Sequence, residues 1–312
     1  MKVCFIGACG HWGQAYHYLK TRQDIVFCGF APGSPEEMQT NSIDKEIPYF
    51  ADYRAMLDKA KPDLAIVSPI FGITGQIIIE CANRGIDVFS EKPIASSLEE
   101  LEQVKHAVNE NGIRFCAMHY LRFTPAFFHA EKMVRNGKIG KLQMITAQKS
   151  YKYGSRPDWY HVPELYGGTI PWVGIHAIDW IAYFSGKRFV SVTAQSIGTS
   201  PEMAALCQFS LEDNVIASVN IDYYRPNSAP THGDDRIRCV GTKGVLEVSG
   251  ERISLMNQEG VFEYCPDTAP ELLAEFLDNN NPLSCEEIFH ITKTAIAAKE
   301  SANTKKTVMI GD

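Results

Sequence analysis

At 312 residues and 34.8 kDa the chain exceeds one compact domain of ~100–200 residues, so two domains are expected. An apolar share of 45%, 21% charged residues and a mean hydropathy of -0.16 exclude a disordered or collagen-like chain. Thirty basic against 37 acidic residues leave a net charge of -7 with no Lys/Arg block, which excludes nucleic acid and anionic membrane as partners, since both demand a basic footprint.

The first 120 residues alternate short apolar runs with helical stretches. Strands are expected at Lys2–Ile6, Ile25–Phe30, Asp63–Val67, Ile86–Ser90 and Ile113–Met118, and helices at His11–Lys20, Gly72–Arg84 and Ser97–Asn111. In the last of these, Ser97 and Glu100 form a capping box ahead of the stripe Leu98, Leu101, Val104 and Val108, and Gly112 ends it. Strands that are apolar on both faces imply a parallel sheet covered on both sides.

After residue 120 the rhythm changes. Helices are expected at Phe127–Asn136 and Trp172–Ser185, with a strand at Leu142–Lys149 between them. Short runs then follow at Phe189–Ile197, Ala204–Leu211, Val215–Tyr223, Arg236–Val240, Val245–Val248 and Val261–Tyr264, parted by turn residues such as Glu212-Asp213-Asn214. Helices near Glu271–Asn279 and Glu286–Ala302 precede a last short run at Thr307–Ile310. The expected architecture is α/β. A doubly wound parallel Rossmann sheet occupies 1–120, and an α+β domain with a large, mostly antiparallel open sheet occupies 121–312.

The longest uncharged stretch, Val3–Leu19, contains Gly7, Gly10, His11, Gly13 and His17, so it does not read as a membrane span or a cleaved signal. The nine cysteines are odd in number, dispersed and never in a C-x-x-C pair. They read as small core residues of a cytoplasmic protein, not as disulfides or a metal site.

The first strand runs into Gly7-Ala8-Cys9-Gly10-His11-Trp12-Gly13, a G-x-x-G-x-x-G variant of the dinucleotide fingerprint. The chemistry asks for glycines because the chain must turn tightly and let its backbone approach a pyrophosphate at the positive end of a helix. Gly7, Ala8, Gly10, His11, Trp12 and Gly13 are therefore candidate cofactor contacts, with Ser34 and Ser68 at the ends of the second and third strands. The acid expected ~20 residues further on, to hold the ribose of NAD, is missing from Phe30-Ala31-Pro32-Gly33-Ser34, and no Arg or Lys stands there for NADP. The cofactor is read as NAD or NADP.

A fourth strand ending in Ser90-Glu91-Lys92-Pro93, after such a turn, resembles the glucose–fructose oxidoreductase / inositol dehydrogenase / rhizopine catabolism (Gfo/Idh/MocA) family. The resemblance continues through His119-Tyr120-Leu121-Arg122, Pro157-Asp158-Trp159-Tyr160, Gly167-Gly168, Gly174-Ile175-His176, Val240-Gly241-Thr242-Lys243-Gly244 and Ala297–Ser301. It implies an NAD(P)-dependent oxidoreductase with its small-molecule substrate between the two domains. It also implies Glu91 and Lys92 near the cofactor, Lys92 beside the substrate hydroxyl, and His176 as proton acceptor. Imidazole has a suitable pKa for that task, and a cation stabilises developing alkoxide.

Members acting on inositol and similar sugars commonly carry an aspartate four residues before this histidine, where this chain has Trp172. Asp179 either replaces that carboxylate or anchors a buried helix. Arg122, Tyr160 and His161 are candidate substrate binders, as are Trp172 and Asp179. Trp159, Trp172 and Trp180 form a sugar-stacking wall or belong to the core. The implied substrate is a sugar or cyclitol hydroxyl. A dihydrodiol- or tetrapyrrole-type oxidoreductase and a non-catalytic dinucleotide-binding sensor are the alternatives. The second sheet has too few helices to cover both faces, so a homodimer or homotetramer is expected.

Overall fold

A computed structural model describes residues 1–37, 46–280 and 282–311. Strands and helices alternate from the start: β1 (Lys2–Ile6), α1 (Trp12–Lys20), β2 (Val26–Ala31), α2 (Tyr53–Ala60), β3 (Leu64–Val67), α3 (Thr74–Ala82), β4 (Asp87–Ser90), α4 (Leu98–Asn111) and β5 (Phe115–Ala117). They build a five-stranded parallel sheet of order β2-β1-β3-β4-β5. Val3, Cys4, Phe5 and Ile6 of β1 and all four residues of β3 have no exposed surface, as strands covered on both faces must. The strand order reverses between β1 and β3, and the carboxyl ends of strands at such a reversal are where α/β sheets bind ligands. An isolated parallel bridge between Phe30 and Tyr49 adds a rudimentary strand outside β2.

Local chemistry explains the helix ends. Asp52 caps α2 by accepting from Arg54 N–H at 2.8 Å. Ser97 Oγ accepts from Glu100 N–H at 3.1 Å, while the Glu100 carboxylate reaches back to Ser96 N–H and Oγ at 2.7 and 2.9 Å. The box is therefore shifted by one residue on its return side. Gly112 closes α4 with φ 59°, a left-handed conformation that a side chain would resist.

The second half begins with α5 (Pro125–Arg135) and β6 (Leu142–Tyr151), followed by the single turn α6 (Pro163–Tyr166) and by α7 (Ile175–Ser185). The strands β7 (Phe189–Ile197), β8 (Ala204–Leu211), β9 (Ile216–Asp222), β10 (Gly233–Gly241), β11 (Gly244–Ser249), β12 (Arg252–Asn257) and β13 (Gly260–Tyr264) come next. The chain ends with α8 (Leu272–Leu277), α9 (Cys285–Thr304) and β14 (Val308–Met309). The nine-stranded sheet has the order β13-β12-β11-β10-β6-β9-β8-β7-β14 and is antiparallel except where β6 pairs with β9. β12 was not among the expected strands, and it completes the meander from β10 to β13.

One face of this sheet is covered by α7, whose Trp180 is fully buried against Phe127 of α5 at a ring separation of 4.4 Å. The other face is open. Ile197 and Leu206 stand on it at 58% and 59% exposure, around a groove that Gln148, Gln195 and Asn220 also line.

Two compact units result, one formed by Met1–Met118 with Glu164–Gly167 and Leu272–Thr292, the other by the rest. The opening segment of the first unit ends at Met118, and two later segments return to that unit. They do so because Gly72 lets the Glu164 carbonyl approach where a Cβ would lie 1.9 Å away, and because Phe276 and Phe289 pack on Phe89 and Phe115. No helix among the described residues is long and apolar enough to cross a membrane, and the nine cysteines are free thiols.

Candidate active site

In the first unit, the glycine turn leaves β1 and enters α1 under strict steric control. Gly7 has φ +76°, and a Cβ there would lie 2.5 Å from Ser68 O and Pro69 Cα. Gly10 has φ +59°, and its Cβ would strike the Glu91 carboxylate at 2.1 Å. Neither position accepts a side chain. Gly13 is different: beyond its own helix backbone and chain neighbours, no atom of the described residues lies within 4 Å of its would-be Cβ, so packing does not require a glycine there.

Backbone bonds brace the turn from two sides, Gly7 N–H donating to Ala31 O and Cys9 N–H to Ser68 O, both at 2.8 Å. Ser68 thus serves through its carbonyl, while its hydroxyl points to Met118 Sδ at 3.8 Å. The N-terminus of α1 has no side-chain cap and no acid among its own first-turn residues, and the buried Glu91 carboxylate meets it at His11 N–H.

Glu91 lies beneath this turn, fully buried. It accepts from His11 N–H at 2.5 Å, from Lys92 N–H at 2.9 Å, and meets His11 Nδ1 at 2.9 Å. Burial alone would raise its pKa, yet the charges of His11 and Lys92 with the His11 hydrogen bonds hold it below the usual carboxylate range. Glu91, expected at the cofactor, locks the glycine turn to the end of β4. Lys92 follows at 2% exposure, with Nζ 3.9 Å from Glu91 Oε1.

The loop after β2 holds Ser34 and a second buried carboxylate, Glu37. The latter accepts from Gly33 N–H at 2.8 Å and from Ile70 N–H, joining the loops that follow β2 and β3. Burial raises its pKa to about 6 against those two hydrogen bonds.

In the second unit, residues 170–174 are wound as a π-helix that runs straight into α7, so Trp172 lies in the widened turn and His176 in the first turn of α7. Single π turns of this kind recur at functional sites. Gly174 permits the fit, since a Cβ there would lie 2.4 Å from Ile221 Cδ1 on β9. Trp172 and His176 are buried at 8% and 2% exposure.

Asp179 is paired with a buried cation. It receives Nε of Arg122 at 3.2 Å and the second guanidinium nitrogen still closer, and it stands 3.3 Å from His119 Nδ1. All three side chains are at most 2% exposed, and the guanidinium also lies 4.7 Å from the Tyr183 ring. Asp179 and Arg122, both expected at the substrate, are thus paired with each other. Tyr160 is buried against Trp159 at 4.3 Å, whereas His161 is exposed and bonds Ser200 O through Nδ1 at 2.8 Å.

Sequence reasoning missed the buried pair of Lys149 and Asp235, which sit opposite each other on β6 and β10 with Nζ 2.6 Å from Oδ2. The ammonium also lies over the rings of Tyr151 and Trp180, at 4.6 and 5.1 Å. Burial pushes Lys149 down to about 8 despite the carboxylate. The signal was present: β6 buries Ile145, Ala147 and Lys149 in strict alternation, so the lysine falls on the inward face. Trp180 follows His176 by four residues, which brings both to one side of α7.

Comparison with known proteins agrees with this anatomy. Residues 1–119 match the oxidoreductase family with an NAD-binding Rossmann fold, and residues 127–247 match the GFO/IDH/MocA C-terminal domain. The chain belongs to the Gfo/Idh/MocA family. A solved structure from Thermotoga maritima, classed as an oxidoreductase, is 38% identical with a TM-score of 0.93, covering 99% of this chain and 100% of its own. Among curated relatives, the scyllo-inositol 2-dehydrogenase (NAD(+)) of Bacillus subtilis is 26% identical over 69% of this chain and 64% of its own. The 2,7-anhydro-N-acetylneuraminate hydratase of Mediterraneibacter gnavus is 25% identical over 69% and 58%. The match spans about 60% of the length of the first curated relatives. Family membership places an NAD(P)-binding fold on the first unit, where the uncapped α1 and the braced glycine turn stand.

Proposed function

We propose that the protein is a cytoplasmic dehydrogenase that exchanges hydride between NAD and a secondary hydroxyl or carbonyl of a sugar, cyclitol or related small polar substrate. The observation that carries the reading is the glycine turn. Its first two glycines are sterically obligatory, its third is not demanded by packing, and it opens a helix whose own first turn carries no side-chain cap and no acid. Gly7, Gly10 and Gly13 with the N-terminus of α1 would hold the pyrophosphate, and the nicotinamide, when bound, supplies the hydride acceptor. His176 takes the hydroxyl proton while the Lys92 ammonium stabilises the alkoxide that develops.

NAD is the finer choice because the loop after β2 carries Glu36 and Glu37 and no Lys or Arg from Val26 to Glu37, so a 2′-phosphate would meet carboxylates without a cation. Calorimetric titration of nucleotide-free protein is expected to show NADH binding at least ~10-fold tighter than NADPH, a gap of about 1.4 kcal/mol. Gly13→Val should weaken NADH binding by ~10-fold or more with an unchanged melting temperature, because packing does not require a glycine there. Absence of binding by any nicotinamide nucleotide would remove the dehydrogenase reading.

The open face of the nine-stranded sheet supports a homodimer or homotetramer. Ile197 and Leu206 form an apolar patch on adjacent strands, and exposed apolar patches rimmed by polar residues mark association surfaces. Sedimentation at micromolar concentration is expected to show a dimer or tetramer for the parent protein and a shift to monomer for Leu206→Glu. A monomeric parent would refute the assembly.

A further inference from the structure

Arg156 is a cation with no ion-pair partner among the described residues. It lies in the segment after β6, half-buried, with its guanidinium carbon 5.2 Å from the ring centre of Tyr160 and 5.6 Å from that of Tyr223. Of its five N–H donors, the hydrogen bond found among the described residues runs to the Lys152 carbonyl at 3.3 Å, and Nε is buried without a partner. Two aromatic faces therefore fix a planar donor fork that no acid of the described chain neutralises.

Its surroundings add positive charge. The carboxylates on β10 already hold cations: Asp235 pairs with Lys149 at 2.6 Å, and Asp234 with Arg236 at 2.8 Å and Arg225 at 3.6 Å. His232, its ring tilted against Tyr151 at 4.9 Å, is held below its ordinary pKa by burial and then by Arg156, Lys149 and Lys152. Three cations thus stand close enough to disfavour a fourth.

Position ties this corner to the expected chemistry. Tyr223, buried, lies two residues beyond Ile221 and just past the end of β9, and Ile221 packs where Gly174 leaves room, two residues before His176.

We infer that Arg156, held between Tyr160 and Tyr223, binds a carboxylate on the substrate, so that the enzyme acts on a sugar acid and not on a neutral polyol. The inference rests on the dehydrogenase reading and narrows its substrate class. A planar guanidinium takes a carboxylate through two parallel N–H···O bonds, and a neutral hydroxyl in that place would leave the arginine charge unpaired.

The test is calorimetric titration of the NADH-saturated protein with D-gluconate, D-glucuronate, D-galacturonate and L-tartrate, set against D-glucitol, D-glucose and myo-inositol. At least one acid is expected to bind ~10-fold or more tighter than its neutral counterpart. Arg156→Gln should reduce acid binding by ~10–100-fold while leaving NADH binding unchanged, and Arg156→Lys should restore part of the loss. Equal binding of acids and neutral compounds, no binding of any acid to the NADH complex, or an acid preference that survives Arg156→Gln would each overturn the carboxylate site. Loss of NADH binding by the parent protein would instead strike the dehydrogenase reading beneath it.

Discussion

Replacing His176 by asparagine is expected to lower kcat/KM for alcohol oxidation by ~10²–10⁴-fold, about 2.7–5.4 kcal/mol of transition-state stabilisation. Lys92→Met should lower it by ~10²–10³-fold, the usual cost of removing a preorganised charge from a developing oxyanion. Neither change should unfold the protein. Asparagine keeps a polar group of similar reach in the first turn of α7, and Glu91 keeps the His11 N–H and the His11 ring when Lys92 is gone.

The two variants should differ in pH dependence. A base that must be unprotonated makes kcat/KM rise with pH until its titration is complete, and His176→Asn removes that rise. Lys92→Met should lower the whole curve and keep its shape. Full activity in both variants, or a preserved acidic limb without His176, would withdraw these roles. The measurement is initial rate by nicotinamide absorbance across pH, with the melting temperature taken alongside.

How much of this was legible in the residues follows from the range over which each feature is determined. Parallel strands covered on both faces are continuous apolar runs, so β1, β3 and β4 announced themselves from composition alone, and the glycine turn announced itself by its place after β1. α2 went unnoticed although Asp52, Tyr53, Met56 and Leu57 supply a cap and an apolar face, because it is only eight residues long. β12 was overlooked because six residues between Gly250 and Gly260 offer just Ile253 and Leu255 as buried alternates.

The site shows the same division. Glu91 and Lys92 were found together by motif, but a motif names residues without fixing where their side chains point, and the buried carboxylate serves the glycine turn. Lys149 and Asp235 are 86 residues apart, so their pairing depends on the register of β6 against β10, which strand patterns alone do not supply. The return of 164–167 and 272–292 to the first unit is likewise a long-range packing outcome, carried by the close approach at Gly72 and the rings of Phe276 and Phe289.

Asp179→Ala is expected to be the most destabilising single change among these residues, at about 3–5 kcal/mol, because it removes the carboxylate that meets the Arg122 guanidinium at 1% exposure. Against a total stability of roughly 5–15 kcal/mol that is a large fraction, and the melting temperature should fall on the order of 10 °C. Asp179→Asn should also destabilise, since an amide preserves shape but leaves the cation uncompensated. The double change Arg122→Met with Asp179→Leu should recover much of the loss, as replacing both members of a buried ion pair by apolar groups removes the desolvation cost of each. The two uses of Asp179 separate here. A carboxylate that assisted His176 in place of the one lost at Trp172 would, as asparagine, lower kcat and shift the pH profile with little change in melting. A carboxylate that neutralises Arg122 beside His119 should do the reverse, lowering stability first and activity only as folded protein is lost. Thermal unfolding and pH–rate profiles of Asp179→Asn and of the double variant decide between them, and the 3.2 Å contact to Arg122 Nε favours the second.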